Sequence, residues 1–230
     1  MKLTKKQIQN LYKFTKQHYV YWYDLQSELV DHLANDIEQI WQEQPQLSFE
    51  EAKNKAFKKF GIFGFMDVVE KRQKALSKHY YKLFWKAFLQ FFTIPKIAFT
   101  ISMFFTLFYF VRWIEHNRIV ILILASTVII VPFIQLYKNR RKLRQKEQNT
   151  GKKYMFEEYI SNLGGLAVII QIPFQLLSYV ADKEIWTFNM EIIFTATIII
   201  CVLSFYITVY ELPPKVRAIL AKEHPEYQIN

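Results

Sequence analysis

Residues 118–137 read RIVILILASTVIIVPFIQLY, and residues 138–153 continue as KNRRKLRQKEQNTGKK. A helix of about 20 predominantly apolar residues is about 30 Å long, which matches the hydrocarbon thickness of a bilayer. The segment that follows is strongly basic, and basic segments beside a span remain on the cytoplasmic side. These two adjoining stretches therefore predict a membrane-crossing helix together with its orientation.

The apolar pattern recurs through a transmembrane region that we place at residues 83–212. We predict four spans, at about 97–114, 118–137, 158–180 and 186–210. Residues 83–94, LFWKAFLQFFTI, either lie in the membrane interface as an amphipathic lead-in or extend the first span. The short connections between spans one and two and between spans three and four carry few basic residues. The predicted loop 138–153 instead carries Lys138, Arg140, Arg141, Lys142, Arg144, Lys146, Lys152 and Lys153.

This charge asymmetry predicts which segments are cytoplasmic. By the positive-inside rule, the loop 138–153, the N-terminal residues 1–82 and a short tail at 213–230 lie in the cytoplasm. The N-terminus, MKLTKKQIQNLYKF, has no apolar core and does not resemble a signal peptide. Topology accounts for much of the net charge of +10, so nucleic-acid binding is not indicated. We expect a multi-pass membrane protein.

Residues 1–82 are charged and carry apolar residues at helical intervals, which predicts a bundle of short helices. One stripe repeats every four residues and consists of Leu25, Leu29, Leu33, Ile37 and Trp41. Ser48 with Glu51 forms the pattern of a capping box, Thr4 is suited to cap the first helix, and Gly61 is suited to end the third. The predicted fold class is therefore all-α, with a cytoplasmic helical bundle followed by four transmembrane helices.

We call residues 1–82 the head. Within it, short motifs over about residues 20–75 resemble those of a known family. Glu28-Leu29 is followed by His32-Leu33, then by the helix Ser48–Ala52 (SFEEA), and then by the ending Lys59–Gly61 (KFG). The pattern resembles the HAAS domain and is similar to the prefix domain that precedes some bacterial permeases. The resemblance implies a small cytoplasmic helical domain that acts in signalling or protein contact. It also implies that this domain is attached to a multi-pass protein of the bacterial cytoplasmic (inner) membrane. It implies no catalysis.

The titratable residues Glu28, Asp31, His32 and Asp36 fall within one predicted helix. Glu28, His32 and Asp36 share a helical face because they are four residues apart. A metal site needs more strong ligands than one imidazole, so we interpret this group as a polar face. We predict that the face either pairs internally, Glu28 with His32, or binds a partner protein.

Polar residues inside the spans form a second group of candidates. Gln171 and Gln175 flank Pro173 in the third span and are either interhelical contacts or part of a polar groove. Glu191 lies near the outer end of the fourth span, where it is either interfacial or paired with Asn189, Arg112 or Arg118. Cys201, the single cysteine, excludes an intrachain disulfide. The basic residues Arg140, Arg141, Lys142 and Arg144 are candidates for contact with anionic lipid headgroups.

The sequence contains no nucleotide-binding loop, no catalytic triad pattern and no zinc-protease motif. We therefore expect no enzymatic activity and no cofactor or metal. The favoured hypothesis is a regulatory or scaffolding membrane protein whose head binds a cytoplasmic or membrane protein, with homo- or hetero-oligomers left open. The alternatives are an accessory or core subunit of a transporter and, less favoured, a membrane enzyme that acts on lipids.

Overall fold

The computed structural model of the chain describes residues 2–114, 118–161 and 187–223. Within these ranges it is all-helical and contains no strand, as the sequence predicts. The helices are α1 (Lys5–Gln17), α2 (Tyr23–Glu43), α3 (Phe49–Lys58), α4 (Met66–Gln90), α5 (Lys96–Trp113), α6 (Arg118–Thr150), α7 (Met155–Ser161), α8 (Phe188–Tyr206) and α9 (Leu212–Glu223), with a π-helical turn (Ile207–Glu211) between the last two. Contacts divide the chain into a first unit, residues up to 78 with 146–158, and a second unit, residues 79–145 with those from 159 on.

Two helices of the first unit begin with reciprocal capping boxes; the box at Ser48 was predicted, and at Thr4 the cap was predicted but not the reciprocal bond with Gln7. The Thr4 hydroxyl accepts a hydrogen bond from the Gln7 amide at 3.3 Å, and the Gln7 side chain accepts one from the Thr4 amide at 2.8 Å. Ser48 and Glu51 repeat the arrangement at the start of α3. The hydrogen bonds that Ser48 donates lower the pKa of the Glu51 carboxyl. Each box satisfies two amides that the helix itself leaves unpaired.

The core of the first unit is built on the predicted stripe of α2. Leu25, Leu29, Leu33 and Ile37 are each at most 1% exposed, and α2 packs against both α1 and α3. A cluster of rings adjoins this stripe and consists of Phe14, His18, Phe57, Phe60 and Phe65, with centroid separations between 4.2 and 6.4 Å. The first unit is therefore held by an aliphatic helix interface and an aromatic cluster beside it.

The turn between α3 and α4 contains two glycines in the left-handed region. Gly61 has φ +80°, and Gly64 has φ +53°. At Gly64 an added Cβ would lie 2.8 Å from Cζ of Phe57, which is closer than van der Waals contact allows. Phe57 is part of the aromatic cluster, so its ring has little freedom to withdraw.

We expect Gly64→Ala to destabilise the first unit by about 2 kcal/mol, because the change adds backbone strain to a steric clash. Gly61→Ala is the matched control, since it has a similar φ but no atom within 4 Å of the added Cβ. It should cost only the backbone strain, about 1 kcal/mol. Hydrogen exchange of peptides from the first unit, measured in the intact protein, gives the loss of stability for each variant. Equal losses at the two glycines would show that Phe57 does not confine Gly64.

Residues 146–158 belong to the first unit, which the sequence does not predict. The carboxylate of Asp24, which is 5% exposed, accepts a hydrogen bond from the Met155 amide at 3.2 Å. The Trp22 indole donates to Glu158 Oε2 at 2.6 Å, and the Tyr23 amide donates to the Lys153 carbonyl at 2.7 Å. Residues 153–158, which include the start of α7, are thus bound to the N-terminal end of α2.

The predicted loop at 138–153 is corrected by the structure. Helix α6 begins at Arg118, as the predicted second span does, but it continues through the basic residues to Thr150. The chain turns only at Gly151, where φ is +66°. The physical reason is that residues 138–150 contain strong helix formers and no Gly or Pro, so their charge does not interrupt the helix.

The core of the second unit lies where α5, α6 and α8 meet. Val111, Ile121, Phe194 and Ile198 are each at most 5% exposed and pack together. Among the described residues, three helices are long and apolar enough to cross a membrane: Lys96–Trp113, Ile119–Thr150 and Phe188–Glu223. They overlap the first, second and fourth predicted spans. The third, 158–180, lies outside the described residues from residue 162 onward.

The structure also describes the two segments that flank the predicted spans. Residues 83–90 continue α4, and the chain turns before α5 begins at Lys96, so they do not extend the first span. Buried Tyr80 anchors this helix, with its hydroxyl 3.4 Å from Thr208 Oγ1, and burial raises the pKa of Tyr80. The predicted tail at 213–230 begins inside α9, because a proline pair in the first helical turn is compatible with a helix. Residues 224–230 lie outside the description.

Candidate functional site

The four predicted partner-binding residues lie on α2, but they do not share one environment. Glu28, Asp31 and His32 are exposed, and we call these three residues the α2 ridge. Asp36 is half-buried, and its Oδ1 lies 2.7 Å from Nζ of Lys59. The structure therefore places three of the four residues on one solvent-facing surface, while the fourth contacts the residue that follows α3.

The exposure of the ridge follows from the periodicity of α2. Leu29 and Leu33 alternate with the ridge residues and point into the core, where they are at most 1% exposed. A side chain on the ridge therefore extends away from the bundle, while its neighbour in sequence holds the helix in place. Substitutions on the ridge therefore alter the charges and hydrogen-bonding groups of this surface without removing any core contact. Such independence from the core is expected of a recognition surface.

No group of three or more His, Cys, Asp or Glu side chains suited to hold a metal ion occurs among the described residues. His18, the histidine that precedes α2 in sequence, is packed within the fold. Its Nδ1 lies 2.8 Å from the Phe14 carbonyl oxygen, and its ring contacts Phe14 and Phe57. This geometry favours a histidine that completes the end of α1.

Glu191 is buried between apolar helices and forms an ion pair. It is 5% exposed, and its Oε2 lies 3.4 Å from Nε of Arg112 near the end of α5. The Arg112 guanidinium is also within 6 Å of the ring centres of Phe108 and Phe188. The structure thus shows Glu191 paired with Arg112, one of the partners predicted for it. The negative charge lies in the first turn of α8, where the helix dipole stabilises it.

We expect Glu191→Ala to weaken the contact between α5 and α8 by about 1 kcal/mol, a typical value for a polar contact between membrane helices. The Arg112 guanidinium would lose its carboxylate while remaining over two aromatic rings. Thermal unfolding of the purified wild type, the two single variants Glu191→Ala and Arg112→Ala, and the double variant measures the coupling free energy between the two side chains. Asn189→Ala, two residues earlier and exposed, is the control. Strictly additive losses would show that the pair is not coupled.

The other predicted site residues are placed as follows. Arg140, Arg141, Lys142 and Arg144 are exposed on the C-terminal half of α6. They are therefore accessible to anionic groups, although they lie on a helix and not on the predicted loop. Gln171 and Gln175 lie outside the described residues, so their polar-groove interpretation stays a prediction.

A surface that sequence reasoning missed lies where two turns of the first unit approach each other. The α1–α2 turn contributes exposed Tyr19 and Tyr21, and the α3–α4 turn contributes exposed Phe63. The available signal was the run Tyr19–Tyr23 (YVYWY), in which four of five residues are aromatic. We call this surface the aromatic groove. Comparisons with protein-family models, with curated proteins and with solved structures find no match to this chain.

Proposed function

We propose that the chain is a regulatory or scaffolding protein of the bacterial cytoplasmic membrane, with a cytoplasmic N-terminal head that binds a protein partner. The proposal includes four spans, both termini in the cytoplasm, and no catalytic activity of its own. Three apolar helices of spanning length support the membrane part of this proposal. The separate first unit, with its own aliphatic and aromatic core, supports the head.

The observation that carries the binding role is the α2 ridge. Glu28, Asp31 and His32 face solvent along a helix whose opposite side is fixed in the core. A folded helix holds side chains at positions i, i+3 and i+4 on one face with fixed spacing, so a partner of complementary charge can contact all three. Rigid presentation also limits the conformational entropy lost on association.

The resemblance to the HAAS domain agrees with this role and remains part of the proposal. The motif residues divide between core and surface: Leu29 and Leu33 build the bundle, whereas Glu28 and His32 are exposed. The pattern thus contains two pairs, each with one buried leucine and one exposed polar residue. In such a pattern the leucines maintain the fold and the polar residues form the recognition surface.

The basic half of α6 supports the proposed orientation. Its exposed residues Arg140, Arg141, Lys142 and Arg144 follow the apolar half of the same helix without a break. Such a segment is suited to anionic headgroups of the cytoplasmic leaflet, at about 1 kcal/mol for each basic residue near the surface. We propose that it anchors this end of the helix to the inner leaflet.

The test is purification of the tagged full-length protein from its native membrane, followed by quantitative mass spectrometry. The wild type is compared with Asp31→Lys, His32→Ala and the control Glu147→Lys, whose residue is exposed and lies outside the ridge. We expect one stoichiometric protein that is lost by at least about tenfold with Asp31→Lys and retained with the control. Hydrogen exchange of α2 verifies that the head remains folded.

Other outcomes would redirect the proposal. A partner that is retained by both ridge variants would contradict the ridge as the binding surface. A stoichiometric nucleotide-binding subunit would instead support the transporter alternative. Recovery of the protein alone, from folded material, would contradict a scaffolding role.

A further inference from the structure

The aromatic groove of the first unit is an open cleft of about 550 Å³. Its walls come from the α1–α2 turn, the α3–α4 turn and the first two turns of α4. This volume falls within the range of about 300–1,000 Å³ that ligand-binding clefts occupy. Its lining includes Tyr19, Tyr21, Phe63, Met66, Asp67 and Glu70.

The apolar side chains of the groove remain exposed although the core lies directly beneath them. Tyr19 is 66% exposed, Phe63 is 70% exposed, and Tyr21 and Met66 are each 49% exposed. Contiguous exposed apolar surface of this kind indicates an interaction site. Aromatic and methionine side chains are also enriched at protein interfaces relative to the rest of a protein surface.

The backbone at Tyr19 indicates that its exposure is imposed by the fold. Tyr19 is the one residue other than glycine with positive φ among those described, at +66°. The left-handed conformation costs a residue with a side chain about 1–2 kcal/mol. The exposed Tyr19 ring offsets little of this cost because it buries little apolar surface. The adjoining His18 ring packs on Phe57 and Phe65, so the turn is held from below. The groove is therefore presented by a rigid base.

The two charged residues that line the groove are both acidic. Asp67 and Glu70 lie on its α4 wall, and the residues that line it include no Lys or Arg. Glu70 pairs with Lys74, but both side chains are more than half exposed, so water weakens this pair. An anionic wall beside tyrosine faces suits a guanidinium, which pairs with carboxylates and stacks on aromatic rings.

We infer that the aromatic groove binds a cationic amphipathic segment of a protein partner, with an apolar anchor against Tyr19 and Phe63 and an arginine against Asp67. The inference rests on the proposed function, because it names a second surface of the same partner-binding head. Aromatic side chains also insert into membrane interfaces, but two carboxylates on the groove wall repel anionic lipid headgroups. The charges thus favour a basic peptide over a bilayer surface.

The test uses the full-length protein in nanodiscs of zwitterionic lipid. The probe is a fluorescein-labelled amphipathic helix of about 16 residues, built from Leu and Arg with one Trp. Its matched partner carries Glu in place of every Arg. Fluorescence anisotropy is expected to show saturable binding of the Arg peptide that weakens with salt, and at least about tenfold weaker binding of the Glu peptide.

Variants locate the binding. Phe63→Ala and Asp67→Lys are each expected to raise the Kd of the Arg peptide by at least about tenfold. Glu147→Lys, which makes the same charge change outside the groove, should leave the Kd within about twofold. An unchanged Kd for both groove variants, or equal affinity for the two peptides, would overturn the inference.

A site-specific probe separates a peptide from a membrane. Gln73→Cys, labelled with a polarity-sensitive dye in a Cys201→Ala background, reports on the groove wall. A blue shift on addition of the Arg peptide supports the inference. A blue shift without peptide, quenched by spin-labelled lipid, would show that the groove meets the bilayer and would overturn it. If the groove does not bind the Arg peptide, recovery of a native partner through the α2 ridge is unaffected. The two experiments therefore distinguish failure of this inference from failure of the proposed function.

Discussion

Leu33→Asp is expected to unfold the first unit while the apolar helices of the second unit remain assembled. Leu33 is fully buried at the centre of α2. The substitution removes a core side chain, at about 2–5 kcal/mol, and places a carboxylate where no partner is available, which costs several kcal/mol more. A small domain is stable by only about 5 kcal/mol. Limited proteolysis of the purified full-length protein should therefore cut within residues 5–58 at rates typical of unfolded chain.

His32→Asp is the matched control, because it introduces the same carboxylate one residue earlier on the exposed ridge. It should leave proteolysis of the head close to wild type, since no core contact is lost. The comparison separates burial from charge at adjacent positions of one helix. Equal sensitivity of the two variants would contradict the orientation of α2.

Asp24→Ala is expected to release residues 146–158 from the first unit without unfolding the rest of it. The Asp24 carboxylate is buried and accepts from the Met155 amide. A hydrogen bond to a charged group contributes about 1.5–3 kcal/mol, and its loss leaves the amide at the start of α7 without this acceptor. Amide exchange at Met155 and its neighbours should accelerate by at least about tenfold, which corresponds to about 1.4 kcal/mol.

Asp24→Asn provides the conservative comparison, because its amide oxygen can still accept one hydrogen bond from Met155. It should restore part of the protection. Asp31→Ala, a similar truncation at an exposed position of the same helix, should have no effect on that segment. Unchanged exchange around Met155 in Asp24→Ala would show that other contacts hold residues 146–158.

The elements predicted well are those whose signals are local. The stripe through Leu29 and Leu33 predicted both a helix and its buried face, and Ser48 with Glu51 predicted where α3 begins. These features depend on side chains within a turn or two of one another. The apolar runs likewise depend only on composition, since a long apolar helix has few alternatives to a membrane or a core.

The elements missed are those that require distant residues to meet. Asp24 and Met155 are far apart in sequence, and nothing near either residue indicates that they are in contact. The pairing of Glu191 with Arg112 was one of several alternatives, because the sequence does not show which turn of α5 faces α8. The basic residues 138–150 were interpreted by charge, although helix propensity continues through them to Gly151.

The amino-acid sequence by itself determined that this chain is helical, that a charged N-terminal region precedes apolar helices, and which face of α2 is buried. Periodicity, capping residues and hydropathy are properties of short segments, so no tertiary information was needed for them. Only the tertiary structure decided that residues 146–158 join the first unit, that Glu191 is paired, and that two separate turns form the aromatic groove. Each of these depends on packing between segments distant in the chain, and packing selects one arrangement among many that the same local signals allow.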